Sequence, residues 1–236
     1  MSGTNKTIRP PRPVAAVFVL AALLYAAMTD HPSARGEQPG VFDYWTLVLS
    51  WSPTYCAGAG GRRDRLQCGS RRRYAFVVHG LWPQFRGGWP EYCSSGPDRV
   101  PANVIAKTLA IMPSKRLIIH QWRKHGRCTG LAPAAYFRRI RALFDTVKIP
   151  ARYVAPNHPV MTTPDRVRGD FTSTNRWLKD RMISLNCGNR RDRARLRDVR
   201  LCFDRSFRPT PCGANEKRQC RASLLVLPPA RGNITD

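Results

Sequence analysis

The chain has 236 residues and a formal net charge of +25, from 40 Lys and Arg residues against 15 Asp and Glu residues. The part that follows the apolar N-terminus has about 200 residues, which suits one ordinary domain rather than several. A charge of this sign attracts polyanions such as nucleic acid. It also suits heparin-like or lipid anions, and GC-rich codon usage alone enriches arginine, so charge does not identify the partner.

The N-terminus is typical of an export signal. A basic leader precedes an apolar, uncharged run over residues 14–28, and Asp30 ends the run. Because a membrane-spanning helix needs about 20 apolar residues, this shorter run favours a signal sequence over an anchor. We predict a signal peptide over residues 1–34, with an uncleaved anchor as the alternative, and a single domain over residues 35–236.

Cysteine use indicates an oxidising compartment. An even number of cysteines behind an export signal is typical of a disulfide set, and no pair has the C-x-x-C spacing that favours zinc. We therefore predict disulfides and a secreted or periplasmic location. All eight cysteines lie after the apolar segment: Cys56, Cys68, Cys93, Cys128, Cys187, Cys202, Cys212 and Cys220.

The first two predicted elements are strands. Residues 42–51 are dense in β-branched and aromatic side chains. Residues 74–79 form a second apolar run, whose alternation places Val77 and His79 on one face. A turn over residues 80–83 would close this strand.

Helices dominate the middle of the chain, and a strand returns near its end. Helical spacing or helix boundaries predict four helices: residues 97–110, 113–126, 132–147 and 176–185. Residues 196–204 alternate again and predict a strand, half of a hairpin closed near residues 209–213. Strands and helices mix without a regular βαβ rhythm, so the predicted fold class is α+β.

The helix before Gly126 presents functional side chains on one face. At about 100° per residue, four of them share an arc of about 140°. They are His120, Gln121, Lys124 and His125. A zinc site on a helix needs two histidines four residues apart, whereas these are five apart, and glutamine is a poor substitute for an acidic base. We therefore predict no metal and no cofactor, with a zinc hydrolase as a weaker alternative.

This set of side chains suits cleavage of RNA by its own 2′-hydroxyl. The reaction needs a base for the hydroxyl proton, an acid for the departing 5′-oxygen and cations for the phosphate charge. Histidines with a near-neutral pKa can fill the first two roles, and Lys124 and His120 can fill the third. A lone strand-end histidine such as His79 is more often structural, but here it lies just before Trp82.

Two segments carry a family resemblance. Residues 76–84 (FVVHGLWPQ) resemble the first active-site segment of the ribonuclease T2 family, and residues 120–128 (HQWRKHGRC) resemble the second, in the same order. Residues 51–56 are similar to the family's W-x-P-x-Y-C strand end, and residues 201–220 to its C-terminal disulfide hairpin. The resemblance covers residues 43–220.

The resemblance implies a function and a role for each matched residue. It implies an endoribonuclease in which His125 is the general base and His79 the general acid, with the roles reversed when the 2′,3′-cyclic phosphate is hydrolysed. Lys124 and His120 would hold phosphate, and Trp82 would stack on a base. The implied partner is single-stranded RNA, and we expect a monomer with no stable membrane insertion once the signal is removed.

The resemblance also implies the fold and the cysteine pairing. The fold would be an antiparallel β-sheet packed against several helices. Eight cysteines allow 105 pairings, so the connectivity rests on the family alone. The implied disulfides are Cys56–Cys68, Cys93–Cys128, Cys187–Cys220 and Cys202–Cys212.

Two positions depart from the family pattern. Gln121 stands where the family has a catalytic glutamate, and an amide can hydrogen-bond but cannot carry a proton or a charge. We therefore expect slower turnover or a displaced pH optimum. Gln84 replaces an acidic residue near the base site, which leaves base preference open. The main alternative is a weakened, cationic RNA- or anion-binding protein that keeps the fold and docks through its arginine runs.

Overall fold

The structure is a computed structural model of the chain. The predicted signal peptide at residues 1–34 lies outside the residues that it describes. Those residues are 38–69, 72–94, 96–188, 193–216 and 220–230.

A mixed sheet forms the centre of the fold. Its strands are β1 (Tyr44–Trp51), β2 (Phe76–Gln84), β3 (Val160–Thr162), β4 (Ile183–Cys187), β5 (Arg193–Asp204) and β6 (Leu224–Leu227). The strand order is β2-β1-β5-β6-β3, and β4 also pairs with β5. Every pair is antiparallel except β5–β6, which is parallel, so the predicted antiparallel sheet holds apart from that pair.

Six helices pack around the sheet in the described part of the chain. They are α1 (Ser52–Cys56), α2 (Arg65–Cys68), α3 (Ala102–Thr108), α4 (Lys115–Lys124), α5 (Pro133–Thr146) and α6 (Pro164–Thr174). The longest, α5, is tied to the sheet by the Tyr136 hydroxyl, which donates a 2.8 Å hydrogen bond to the carbonyl of Leu81. The fold is α+β.

Strand β1 is the most buried element. All eight of its residues are buried, because β2 and β5 flank it and helices cover its apolar face. Leu47, Leu49 and Trp51 are fully buried in the hydrophobic core. Because β1 is tightly packed, it holds the neighbouring strands β2 and β5, and therefore their side chains, in fixed positions.

Helix α4 lies within the predicted range of residues 113–126 but is shorter, from Lys115 to Lys124. The Ser114 side chain caps it by accepting a 3.3 Å hydrogen bond from the amide of Leu117. Ile118 and Trp122 are fully buried on one side, which directs the opposite, polar side of the helix away from the core.

Two sequence expectations were wrong, and one helix was missed. The strand β2 does not end before the predicted turn but continues to Gln84. Residues 176–185 are not a helix, since Ile183–Cys187 forms β4 and pairs with β5. Helix α6 was not predicted, although Pro164 in its first turn and a Thr163 side chain that caps the amide of Arg166 are ordinary start signals.

Four disulfides staple the described residues. They are Cys56–Cys68, Cys93–Cys128, Cys187–Cys220 and Cys202–Cys212, the same pairs that the family resemblance implies. None of the helices in the described ranges is both long enough and apolar enough to span a bilayer.

Candidate active site

One cavity of about 430 Å³ brings the two motif segments together. Its walls come from β2, α4, β5 and the segment that follows β5. All seven residues that the sequence assigned to catalysis or substrate binding line it: His79, Trp82, Gln84, His120, Gln121, Lys124 and His125. Four more residues that the sequence did not predict line the cavity: Trp89, Arg200, Asn215 and Glu216.

A β-bulge places His79 in this cavity. In the ladder between β1 and β2, Leu49 pairs with Val78 and Val48 pairs with Gly80, so His79 is the extra, unpaired residue. An extra residue bends the strand and reverses the alternation of side chains beyond it.

The bulge explains why residues at odd spacing share one wall. His79 and Trp82 are three positions apart, and strict alternation would send them to opposite faces of the sheet. Beyond the bulge, Trp82 and Gln84 line the same cavity as His79. An uninterrupted alternation over residues 74–79 does not predict this arrangement, because a bulge leaves no local pattern in the sequence.

The His79 ring is held from β1. Its Nδ1 lies 3.0 Å from the hydroxyl of Ser50, which leaves Nε2 for a substrate. Burial lowers the pKa of His79 to about 4, with the charge of Asp198 opposing that shift and Arg200 adding to it. Burial disfavours the imidazolium because that cation loses hydration.

His125 lies at the C-terminal end of α4 and is almost fully buried. Its ring stacks on Trp82, with centroids 5.0 Å apart and planes 24° apart. Its Nδ1 is buried and has no hydrogen-bond partner among the described residues, so Nε2 is the nitrogen that can reach a substrate. Burial, and then the charges of Lys124, His79 and His120, lower the pKa of His125 well below its ordinary value.

Trp82 lies between the two histidines. Its ring centroid is 5.6 Å from that of His79 in an edge-to-face contact, while its other neighbour is the stacked His125. The Arg200 guanidinium lies over the Trp82 ring at 5.0 Å from the centroid. Arg200 is itself oriented by a 2.8 Å ion pair with Asp198.

Gln121 connects α4 to this arrangement. The Trp82 indole N–H donates a 2.7 Å hydrogen bond to Oε1 of Gln121. This contact requires a glycine at position 80, because a Cβ there would lie 2.0 Å from that oxygen. The residue that replaces the family glutamate thus positions the tryptophan.

Lys124 and His120 form the rim of the cavity. The Lys124 ammonium makes a 3.0 Å ion pair with Glu91, whose carboxylate also accepts a 3.1 Å hydrogen bond from the indole of Trp89. His120 is exposed, and partial burial followed by the charges of Lys124 and Arg116 lowers its pKa. Both side chains are accessible to a phosphate.

The far end of the cavity is built from amides. The Asn215 amide donates a 3.1 Å hydrogen bond to the buried Gln84 side chain and a 2.7 Å bond to the carbonyl of Gly88. Its own oxygen accepts from the amide of Gly88. Next to this network the Trp89 side chain is 51% exposed, so it is available to stack on a ligand. No local pattern identifies Asn215 in the sequence.

Glu216 contributes a buried carboxylate. It accepts hydrogen bonds from the hydroxyls of Tyr44, at 2.6 Å, and Thr46, at 3.3 Å. Burial raises its pKa, whereas the Tyr44 bond and the charge of Arg200 oppose that rise. Glu216 lies near disulfide-bonded Cys212 in an otherwise polar segment, which gave no signal of a buried acid.

A disulfide joins the two rim segments. Cys128 follows the helix that carries Lys124, and Cys93 follows Glu91, so the Cys93–Cys128 bond holds this ion pair at both ends. In the part of the chain that the structure describes, no three His, Cys, Asp or Glu side chains are grouped as metal ligands.

Comparison with known proteins identifies the family. A model of the Ribonuclease T2 family matches residues 42–212, which include both histidine segments and most of the sheet. The chain belongs to the Ribonuclease T2 family.

Relatives of this T2-family chain include bacterial proteins. A probable ribonuclease of Haemophilus influenzae is 28% identical over 195 residues, which are 78% of this chain and 65% of that protein. A ribonuclease of Aeromonas hydrophila is 40% identical over 116 residues, which are 49% of this chain and 51% of that protein. The matched part thus covers less than two thirds of either relative.

A solved structure shares the fold. An RNase-related protein from Calystegia sepium superposes with a TM-score of 0.62 at 22% identity, covering 80% of this chain and 98% of that one. The T2 fold therefore extends over most of the chain, beyond the two motif segments.

Proposed function

We propose that the protein is a metal-independent endoribonuclease that cleaves single-stranded RNA through a 2′,3′-cyclic phosphate. One observation carries this proposal. Two imidazoles from separate segments, His79 and His125, flank Trp82 at centroid distances of 5.6 Å and 5.0 Å in one cavity. Membership of the family and relatives named ribonuclease support the same assignment.

The first step is a transphosphorylation. His125 takes the proton of the 2′-hydroxyl, and the 2′-oxygen attacks the adjacent phosphorus. As the bond from phosphorus to the 5′-oxygen breaks, His79 gives that oxygen a proton, and a 2′,3′-cyclic phosphate remains. No metal has to generate the nucleophile, because the attacking oxygen belongs to the substrate.

The second step hydrolyses the cyclic phosphate. His79, now neutral, takes a proton from water, and the water oxygen attacks phosphorus. The bond to the 2′-oxygen breaks, His125 returns its proton to that oxygen, and a 3′-phosphate end is released. Both histidines are then restored to their starting forms.

Cations at the rim stabilise the phosphate. Lys124 and His120 lie on the polar face of α4, and Arg200 faces the same cavity from β5. A phosphorane-like transition state carries more charge on its oxygens than the ground state does, so fixed cations lower the barrier. Lys124 would exchange its partner Glu91 for the phosphate when RNA binds.

The base site favours an unpaired nucleotide. Trp82 and Trp89 offer aromatic faces, and Gln84 and Asn215 offer amide hydrogen bonds. A base has to leave its helix to reach such a cavity, which favours single-stranded RNA over duplex. Gln84 can both donate and accept, so it tolerates more than one base edge.

Export fits this chemistry. The four disulfides are typical of a protein in an oxidising environment, such as the periplasm or the outside of the cell. We therefore propose that the signal at residues 1–34 directs the enzyme out of the cytoplasm, where it acts as a monomer.

One assay separates this function from its rivals. The protein is incubated with single-stranded RNA and a chelator, and the ends are identified by mass spectrometry. We expect 2′,3′-cyclic-phosphate ends, which are lost in His79→Ala and in His125→Ala. Bound but intact RNA would indicate the cationic binding protein instead. Cleavage that the chelator abolishes would indicate a metal-dependent hydrolase.

A further inference from the structure

A second, larger cavity adjoins the active site. It measures about 820 Å³, and His79 lines both cavities. Asp198 lines the second cavity, whereas its neighbour on the same strand, Arg200, lines the first. The groove is therefore continuous with the proposed site of cleavage.

Three arginines on β5 form one wall of this groove. Arg193, Arg195 and Arg197 are exposed, and the residues between them are buried. In the ladder with β4, Asn186 pairs with Asp198 and Cys187 pairs with Leu196, which leaves Arg197 as an unpaired bulge residue. Ordinary alternation places the three arginines on one face, and the bulge brings Asp198 to the same cavity. We call this cavity the arginine groove.

These cations are available to a ligand. Among the described residues, Arg193, Arg195 and Arg197 have no ion pair with a carboxylate. The acid within the groove, Asp198, is already engaged by Arg200 and by the Asn186 amide, each at 2.8 Å. The wall consequently presents positive charge that nothing in the described chain neutralises.

Another part of the lining offers an aromatic ring on helix α1. Tyr55 lines the groove and is 39% exposed, with Gly58 and Gly60 beside it. The Cys56–Cys68 disulfide joins the end of α1 to the end of α2. Cations and an aromatic ring that line one groove can bind the backbone and the bases of a single strand.

The chemistry at His79 fixes which part of the RNA enters. In the proposed mechanism His79 protonates the 5′-oxygen of the leaving nucleotide, so that nucleotide lies on the His79 side of the scissile phosphate. The active-site cavity that Trp82 lines holds the nucleotide on the 5′ side of the scissile phosphate. We propose that the arginine groove binds the RNA backbone on the 3′ side of the cleavage site, an inference that rests on the proposed function.

The spacing of the arginines suits successive phosphates. A strand rises about 3.4 Å per residue, so alternate residues repeat at about 7 Å, comparable with the phosphate repeat of an extended single strand. Each phosphate neutralised on a single strand adds about 0.7 to the slope of log affinity against log salt. Three contacts thus predict a slope that is steeper by about 2.

Chimeric substrates test the direction of binding. Each is DNA with one ribouridine as the only cleavable position, extended by about eight deoxynucleotides on either its 3′ or its 5′ side. In Arg193→Ala/Arg195→Ala/Arg197→Ala we expect kcat/KM to fall about tenfold or more for the 3′-extended substrate relative to the 5′-extended one. For the 3′-extended substrate, the slope of log affinity against log salt concentration should become shallower by about 2.

A charge-matched variant supplies the control. Lys107, Arg138 and Lys148 are exposed and line neither cavity, so their triple alanine variant removes equal charge elsewhere. An equal loss for both substrates, an equal loss in both variants, or no loss would overturn the proposal.

Binding measurements keep the proposal testable if cleavage fails. If the unaltered protein cleaves neither the 3′-extended nor the 5′-extended substrate, the proposed function is refuted. Anisotropy with the all-deoxy strand then shows whether only the groove variant loses affinity. If the groove variant instead loses binding to phosphatidylglycerol vesicles and keeps the DNA strand, the groove is a lipid site and the proposal is wrong.

Discussion

The indole N–H of Trp82 donates a 2.7 Å hydrogen bond to Oε1 of Gln121, and the same indole stacks on His125. The amide therefore reaches the histidine through the tryptophan. In this chain the position of the family glutamate has a structural task that glutamine can perform and an acid–base task that it cannot.

Replacing Gln121 by glutamate should change the pH dependence. A carboxylate at this position keeps the hydrogen bond from Trp82 and adds a negative charge, which favours the imidazolium and raises the pKa of His125. The acidic limb of the kcat/KM profile should move to higher pH by about one unit, because the general base must be neutral.

The matched variant is Gln121→Leu, which removes the acceptor without adding charge. It should lower kcat about tenfold, in line with a lost hydrogen bond of about 1.4 kcal/mol, and leave both limbs in place. Identical profiles for Gln121→Glu and the unaltered enzyme would show that the carboxylate is dispensable.

The unaltered enzyme should be an acid ribonuclease. Burial lowers the pKa of His79 to about 4 and that of His125 well below its ordinary value. Since one ring must be charged and the other neutral, the kcat/KM profile should be bell-shaped with its maximum below pH 6.5. The two apparent pKa values of the profile describe the pair of histidines and not either ring alone.

Bound RNA brings a negative phosphate, which raises the pKa of both histidines. The maximum of kcat should therefore lie at higher pH than that of kcat/KM. A kcat/KM maximum above neutrality at constant ionic strength would contradict this assignment.

Ser50 should act as a positioning residue for His79. Its hydroxyl lies 3.0 Å from Nδ1 and can accept the N–H of the imidazolium. Ser50→Ala should lower kcat about tenfold and lower the pKa of His79 further, since the charged ring loses an acceptor. Ser50→Thr keeps the hydroxyl and should restore both quantities. The kcat value and an NMR titration of His79 provide the two readings, and an unchanged titration in Ser50→Ala would rule out the role.

The ion pair between Lys124 and Glu91 should compete with phosphate. Glu91→Gln frees the ammonium, so the inhibition constant of 3′-UMP should fall about threefold, while stability changes by less than about 0.5 kcal/mol because the pair is exposed. Asp98 forms an ion pair with Arg127, and neither residue lines the cavity. Asp98→Asn should therefore leave the inhibition constant of 3′-UMP unchanged. Equal inhibition constants in the two variants would show that Glu91 does not restrain Lys124.

The disulfides should differ in what they stabilise. Cys93 and Cys128 are 35 residues apart, and breaking this bond should cost about 4 kcal/mol of unfolding free energy. Cys202 and Cys212 are 10 residues apart and should cost about 3 kcal/mol. Denaturant titrations of the two double serine variants measure these values. At temperatures where both are folded, the Cys93 and Cys128 variant should have the higher KM, because it loosens the rim, and an equal KM would contradict that link.

The seven site residues could be predicted because they belong to two short contiguous segments. A helix face places His120 beside Lys124 and His125 by local geometry alone, and the first segment carries His79 next to Trp82. Arg200, Asn215 and Glu216 could not be predicted in this way. Each reaches the cavity through the pairing of β5 or the path of the chain after it, which no local pattern records.

The wrong elements have similar causes. Gly80 to Pro83 has turn composition, yet it pairs with β1 and forms strand. Proline is tolerated there because, among the described strands, β2 has a neighbour on one side only. Residues 183–187 have weak helical spacing, but pairing with β5 outweighs it. In both places long-range pairing overrides local preference.

The orientation of Trp82 depends on the one extra residue that β2 contains at His79. Were β1 and β2 to pair without the bulge, with Val48 opposite His79, every later residue of β2 would shift by one position, and Trp82 would point to the other face of the sheet. The protein could then keep its sheet, its cysteine bonds and both motifs while the indole left the cavity. In this chain, intact motifs are therefore a weaker sign of a working enzyme than the pairing register of this one strand.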